Sequence, residues 1–373
     1  MIYDLAIIGG GPAGATAGFL AAKEGFNVVI IEREKLPRQK PCGGGLTYKV
    51  GSLLKEIGVD IDELPIERTF TSVVVCGHGE GIEVKLSPWV IKTVRRDIFD
   101  MELVRLANGQ GAKIMEATTA LSASPSGEGI KVVTRSGGVV CRKLLIAEGA
   151  NVLISRKLGL RSSWRKEDIV FAMEGHARGN FNELKFIMDA VPHGYGWIFP
   201  GRGYASFGVG CMGYLAQKVK PAFQELVRKN RAELTRWGAA ILPLGGKERP
   251  LSRGDVYLLG DSAGLIDPLT GEGIYQAMRS AVEAVRSIAD GDPYEERMRP
   301  LLEDLALRRR AASLVLPRMK FFYRLMVGSD EIARRFAEAC SGMRTFKDFW
   351  RWALRRIPIG ALKMILGSRR ARS

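Results

Sequence analysis

The sequence is poor in the residues that build metal and disulfide sites. Its 373 residues hold five cysteines, Cys42, Cys76, Cys141, Cys211 and Cys340, none in C-x-x-C spacing. There are three histidines, His78, His176 and His193, and none pair at metal-ligand spacing. This usage argues against a disulfide framework and against zinc, so no metal site is expected. No apolar run reaches the ~18–20 residues of a membrane-spanning helix. The chain opens directly on a strand-like apolar run, so a signal peptide is not expected and the reading is cytoplasmic. Acids are scarce beside bases, 40 against 56, for a formal net charge of +16. Such an excess calls for an acidic partner: nucleic acid, an anionic membrane or a phosphorylated substrate. The length allows one large or two ordinary domains.

What is present is concentrated at the start. Residues 5–8 are a continuous apolar run, as a buried parallel strand requires. Gly9, Gly11 and Gly14 follow in G-x-G-x-x-G spacing, then Gly18. Gly9 allows a tight turn, Gly11 a close approach to pyrophosphate, and Gly14 close packing of helix on strand. The helix N-terminus then offers N–H groups and a positive dipole end to phosphates. A second apolar strand, residues 28–31, ends in Glu32, an acid placed to accept hydrogen bonds from a ribose diol. Strand, glycine turn, helix, strand and acid together predict a dinucleotide site.

The rest of the chain falls into three stretches. Residues 38–46, RQKPCGGGL, form a glycine loop able to bring backbone against something flat. A helix is predicted near 48–57, a hairpin over 70–76 and 82–86, and a helix through VRRDIFDMELVRL. Strands follow at 113–116, 130–134 and 139–148, with another helix from about 154. From about 164 to 251 the pattern changes to strands at 169–178, 184–190, 196–199 and 205–211, with one helix over 221–237. The buried-strand pattern returns at 256–260, followed by DSAGLIDPLTGEG and a helix over 274–289. Residues 294–373 read as helices alone. The expected fold is α/β: a Rossmann-like nucleotide domain in pieces (1–68, 92–163 and 252–292), an inserted antiparallel-sheet domain (69–91 and 164–251) and a C-terminal helical region (293–373).

These motifs resemble the FAD pattern of the flavoprotein hydroxylase and reductase superfamily, p-hydroxybenzoate hydroxylase-like, with a GR2-type nucleotide domain. Within it the chain is similar to the geranylgeranyl reductases. Three pieces carry this: PCGGGL at residues 41–46, PHGYGWIFP at 192–200, and GDSAG…P…GEGI, where hydroxylases have His after Gly-Asp and GQG later. The resemblance implies an FAD site made by Gly9, Gly11, Ala13 and Gly14, by Glu32 and Arg33, by Cys42, Gly43 and Gly45, and by Arg96 and Ala120. Glu148 and Gly149 complete it together with Gly260, Asp261, Gly264, Pro268, Gly271, Gly273 and Ile274. Asp261 would hold the ribityl chain, and the helix start at Ile274 would face the flavin ring.

Tyr195, Trp197 and Phe199 alternate, so on a strand they share one face, bracketed by Pro192 and Pro200. This is either a wall for an isoprenoid chain or an ordinary sheet core; with the resemblance, Tyr195, Trp197, Phe199 and Pro200 are expected to bind substrate. Cys42 either gives a proton or tunes flavin beside Arg38 and Lys40, or packs in a tight loop. The other four cysteines are read as buried small hydrophobes. The family commonly has Asp where this chain has Glu148, and the helical C-terminus is shorter than in many relatives.

The implied activity is reduction of isolated C=C bonds in a geranylgeranyl or polyprenyl group, with hydride from reduced flavin N5 and a proton from an acid; Cys42, Tyr195 and Trp197 are the candidate catalytic residues. No second glycine fingerprint for NADPH is seen, so the electron donor is NADPH bound transiently or a reduced redox protein such as ferredoxin. Rival readings are a flavin monooxygenase or halogenase, and a non-enzymatic flavin-carrying membrane-association protein. Residues 342–373 hold nine basic residues and one acid, Asp348, interleaved with aromatics such as Phe346, Phe349, Trp350 and Trp352. That pattern suits an anionic bilayer surface, or a packed helical cap with a solvated basic face; no nucleic-acid recognition module is present. A monomer, peripherally membrane-associated, is expected.

Overall fold

The computed structural model describes residues 2–356. In chain order the elements are β1 (Ile2–Ile8), α1 (Pro12–Lys23), β2 (Val28–Ile31), β3 (Gly45–Thr47), α2 (Tyr48–Glu56), β4 (Ile66–Phe70), β5 (Ser72–Gly77), β6 (Glu80–Lys85) and β7 (Ile91–Val94). Then come α3 (Arg96–Gly109), β8 (Lys113–Met115), β9 (Ala120–Ser126), β10 (Gly129–Thr134), β11 (Gly137–Ile146) and α4 (Leu153–Lys157). The middle of the chain supplies β12 (Ile169–Arg178), β13 (Lys185–Ile187), β14 (Gly194–Pro200), β15 (Tyr204–Met212), α5 (Val219–Lys229) and β16 (Leu234–Pro243). The last part is β17 (Ser252–Arg253), β18 (Val256–Leu258), α6 (Ile274–Asp290), α7 (Tyr294–Val315), α8 (Met319–Val327), α9 (Asp330–Ser341) and α10 (Phe346–Arg356).

The first sheet runs β17-β18-β11-β1-β2-β8, with β10 and β9 continuing from β11. Its centre is parallel: β1 lies between β2 and β11, and β18 pairs with β11 after more than a hundred intervening residues. Both faces are covered, and the central strands are correspondingly apolar throughout. At the first turn, a Cβ on Gly14 would sit 1.8 Å from the Gly9 carbonyl oxygen, so α1 can seat on β1 only without a side chain there. The second sheet has seven strands, β16-β12-β15-β14-β13-β5-β6, antiparallel except where β13 meets β5. A small third sheet, β3-β7-β4, joins the glycine loop to α3.

One expected element is wrong. The helix read over 221–237 stops at Lys229, and residues 234–237 open strand β16. The helical part packs Val219, Phe223 and Leu226 onto the sheet. Arg231, at φ 48°, turns the chain back, and β16 then pairs along the length of β12. Strand β9 and the small third sheet were also not anticipated.

The described end of the chain is a packed cap. Phe346 and Phe349 are buried with Leu269, Ala311, Ala312 and Ala339, while Lys347, Arg351, Arg355 and Arg356 face outward. The aromatics of α10 therefore cover the protein's own body. Lys363, Arg369, Arg370 and Arg372 lie outside the described residues. Among the described residues no helix is long and apolar enough to cross a membrane.

Candidate active site

A cavity of about 1110 Å³ runs between the parallel sheet, the seven-stranded sheet and helices α7 to α10. A typical small-molecule site is ~300–1,000 Å³, so this space exceeds what one ordinary ligand needs. At one end lie the first glycine turn and the start of α6. At the other lie β14 and the C-terminal helices.

The first end is polar and rigid. Gly11 is the N-cap of α1 and gives no side-chain cap, and Pro12 brings no N–H, so no side chain caps the first turn. Glu32 is buried; its carboxylate accepts the Gly10 N–H at 2.7 Å and the Glu34 N–H at 3.0 Å, with Arg38 at 3.6 Å. Arg38 also reaches Asp100 at 3.2 Å, and Asp100 takes two N–H groups of Arg96 at 2.8 Å each. Arg96 is buried, but Asp100 beside it holds it firmly protonated. Asp261 lines the cavity near Gly273, the N-cap of α6, which again provides no side-chain cap. Burial raises the Asp261 pKa, against the pull of Lys40 and Arg96. Two uncapped helix starts, a ribose-type carboxylate and an arginine fixed by its own acid fit a flavin dinucleotide.

The second end is apolar and aromatic. Tyr195, Trp197 and Phe199 share one face of β14, with ring centroids 6.2 and 6.4 Å apart along the row. Phe186 of β13 meets Tyr195 and Phe199 edge-on at 5.6 and 5.3 Å. The glycine loop lies directly against this row. A Cβ on Gly43 would be 2.9 Å from Trp197 Nε1, and one on Gly45 would be 2.8 Å from Phe199. The triple glycine is therefore needed to bring the loop onto the aromatics. Tyr195 donates its hydroxyl hydrogen to the Thr270 carbonyl, and burial pushes the phenol pKa well up. The Cys42 thiol accepts the Gly44 N–H at 3.5 Å and lies beside Arg96.

Most of the residues expected at the site line this one cavity; Gly14, Gly260, Gly264 and Pro200 do not. Gly14 sits between helix and strand. Gly260 packs on Ala277 and donates its N–H to Ser280 at 2.9 Å. Gly264 faces Trp164 and Arg249, and the Pro200 carbonyl accepts from Thr93 at 2.8 Å. These four shape the walls. Glu148 needs a different account: its carboxylate accepts the Ile154 N–H at 2.8 Å, the Ser155 N–H at 2.9 Å and the Ser155 hydroxyl at 2.7 Å. The added methylene is used to cap α4. Cys211 and Cys340, expected only as packing, both reach the cavity. Burial pushes their thiols up to about 11 and about 12, so they remain inert.

Several site residues had no local signal. Asp267, fully buried in the loop before α6, accepts from the Leu269 N–H and the Thr270 hydroxyl at 2.8 Å each. It is also paired with Arg308 of α7 at 2.9 Å. Arg308 continues to Asp304 at 2.6 Å and the Ala339 carbonyl at 3.2 Å, and lies over the Phe346 ring. This links the loop beside the flavin groove to the helical cap. Glu272, on the same loop, accepts from Thr47 and pairs with Lys49 at 2.5 Å. The only hint was the acid within GEG. Glu174 of β12 also lines the cavity.

Comparison with known proteins agrees with this geometry. The FAD binding domain family matches residues 3–184. Menaquinone reductase of Mycobacterium tuberculosis is 31% identical over 300 residues, 73% of this chain and 72% of that protein. Digeranylgeranylglycerophospholipid reductase 1 of Methanopyrus kandleri is 28% identical over 356 residues, 86% and 92% of the two chains. A solved geranylgeranyl bacteriochlorophyll reductase-like protein from Thermoplasma acidophilum shares the fold with a TM-score of 0.81 at 23% identity, covering 98% of this chain and 99% of its own. Flavin-dependent halogenases share the fold too, at lower TM-scores, 0.73 for a brominase.

Proposed function

The chain belongs to the geranylgeranyl reductase family of FAD-dependent oxidoreductases, and from that premise we propose that it saturates isolated C=C bonds of a geranylgeranyl or longer polyprenyl group. One observation carries this: the flavin groove opens without a partition into an apolar lobe walled by Tyr195, Trp197 and Phe199 and roofed by α7 to α10. An elongated hydrocarbon suits that lobe better than a compact aromatic substrate does. The relatives' names point the same way, since menaquinone and digeranylgeranylglycerophospholipids both carry polyprenyl chains. The late motif without His after Gly-Asp disfavours the monooxygenase or halogenase alternative.

Gly9, Gly11 and Ala13 would hold the pyrophosphate, Glu32 the adenosine ribose, and Asp261 the ribityl chain. When bound and reduced, FAD supplies hydride at N5. The residues of this chain do the rest. The α6 N-terminus at Gly273 and Ile274 would stabilise the negative charge of a reduced flavin. The aromatic row orients the hydrocarbon, and the apolar walls exclude water; an unactivated alkene depends on both. The outward basic residues of α10 support docking on an anionic membrane where such lipids reside. The electron donor is NADPH or a reduced redox protein.

Anaerobic incubation of dithionite-reduced protein with geranylgeranyl lipids, read by mass spectrometry, tests this. Gain of two hydrogens per double bond with flavin reoxidation is expected. Substrate-coupled oxygen consumption without saturated product would place the protein with the monooxygenases instead.

A further inference from the structure

Reducing an alkene by hydride also takes a proton, and one carboxyl group on the cavity wall is placed to give it. Glu174 lies midway along β12, the second strand of the seven-stranded sheet, in register with Gly208 of β15 and Gly238 of β16. One strand further, Trp197 stands opposite Gly208. A Cβ on Gly208 would meet the Trp197 ring at 1.9 Å, and one on Gly238 would meet Pro41 at 2.8 Å. With Gly43 against Trp197, the loop of residues 41–43 lies across this row, over Glu174. Glu174 is 5% exposed, and its cavity-lining neighbours on the same strand are Val170 and Ala172.

The bonds around Glu174 form a chain. Trp197 Nε1 donates to Ser206 Oγ at 3.3 Å, and Ser206 donates to Glu174 Oε1 at 3.0 Å. The same Oε1 is 3.0 Å from Nε2 of His176. Arg236, a donor only, places Nη2 3.1 Å from that Nε2. The contact is favourable when one proton lies between Glu174 and His176. Behind the wall His176 stacks on Tyr204 at 4.7 Å, and its side chain is 12% exposed. Arg95, Asp97 and Glu67 surround Tyr204 and Arg236 on that outer side.

Among the other acidic groups on the wall, Asp261 lies at the polar end beside Gly273, and several more are committed to partners. Glu272 has Thr47 on one oxygen and Lys49 on the other. Tyr195 has its proton committed to the Thr270 carbonyl. The Cys211 and Cys340 thiols are pushed up by burial.

We propose that Glu174 is the acid that protonates the alkene carbon opposite the hydride, and that His176 returns a proton to it from outside the cavity. This rests on the reductase reading. One alkene carbon accepts hydride, with its electron pair, from the reduced flavin. The π electrons form the second C–H bond with the Glu174 proton as the O–H bond breaks. Glu174 is left as a carboxylate and is reprotonated across the 3.0 Å contact by the proton on His176 Nε2, which is replaced from solvent.

The test uses Glu174→Gln, which keeps an acceptor for Ser206 but has no proton to give. Flavin content, tryptophan emission and dithionite reduction stay as in the wild type. The rate of anaerobic flavin reoxidation by detergent-dispersed digeranylgeranylglycerophospholipid falls about 10²–10⁴-fold. Glu174→Ala is equally slow, and added formate restores part of the rate, which a purely structural role would not give. Independently of turnover, dicyclohexylcarbodiimide, which reacts with protonated carboxyl groups in apolar sites, labels Glu174 in the wild-type protein. Peptide mass mapping without label there overturns the assignment even if Glu174→Gln fails to fold. Wild-type turnover matched by an equally fast Glu174→Gln overturns it alone. A wild type that never reoxidises with any polyprenyl lipid overturns the reductase reading and this assignment with it.

Discussion

Replacing Arg308 with methionine keeps an unbranched, flexible stem and removes the charge. The guanidinium it deletes serves two acids of different standing. Asp304 is partly exposed and can turn to water, whereas Asp267 is fully buried and cannot. An uncompensated buried charge costs about 3–5 kcal/mol. Unfolding entropy of about 2.1 cal/mol/K per residue over 373 residues gives about 0.8 kcal/mol/K, so Tm should fall by about 4–6 °C at pH 7 to 8. The pH dependence is the sharper expectation. Burial opposes ionisation of Asp267, but Arg308, then Lys49 and the Leu269 and Thr270 donors, hold its pKa below the ordinary carboxylate range. A depressed folded pKa stabilises the fold above the unfolded value of about 3.9, and that contribution is lost as pH falls through the folded value. Without Arg308, burial dominates and the Asp267 pKa rises, so the variant gains a proton on folding as pH falls. The deficit relative to wild type should therefore be largest near neutrality and shrink toward pH 5. Asp267→Asn in the same chain should recover most of it. Calorimetric melts of the three proteins from pH 5 to 8 decide the matter. An unchanged Tm, or a deficit independent of pH, would refute the reasoning.

Trp197→Ala should retain flavin and lose most polyprenyl turnover, because the ring fills the lobe over Gly208 and touches the glycine loop; flavin loss on purification would assign Trp197 to the fold instead. Gly14→Ala should abolish flavin binding, since its Cβ would fall 1.8 Å from the Gly9 carbonyl oxygen, and absorbance of the purified protein reads this directly. Glu148→Asp should lower stability by about 0.5–2 kcal/mol through loss of the α4 cap while flavin content holds; an unchanged melt with weakened flavin binding would return Glu148 to the cofactor.

The nucleotide half was legible because its signals are local. The glycine spacing, the apolar strands around it, Glu32 and the Gly-Asp loop each lie within a few residues of what they build. Strand β12 was read to its ends because alternation and flanking turns agreed. Strand β16 was not, because residues 230–237, NRAELTRW, mix good helix formers with an edge-strand pattern in which only alternate residues are half-buried. Pairing with β12 overrides the local preference. The ionic links were invisible for a different reason. Asp267 and Arg308 are 41 residues apart, and Glu174 meets Ser206 of the neighbouring strand 32 residues on. Glu148 is a third case: its extra methylene was visible, but its bonds to Ile154 and Ser155 depend on where α4 begins.

The two lobes of the cavity are completed at different points along the chain. The flavin groove draws on residues from Ile8 to Ala277, whereas the roof of the apolar lobe continues to Arg356. A nascent polypeptide emerging from the ribosome thus completes the polar end well before it can close the apolar one. A chain ending after α6 would lack the α7 to α10 side chains that line the apolar end and so would leave that end without its roof.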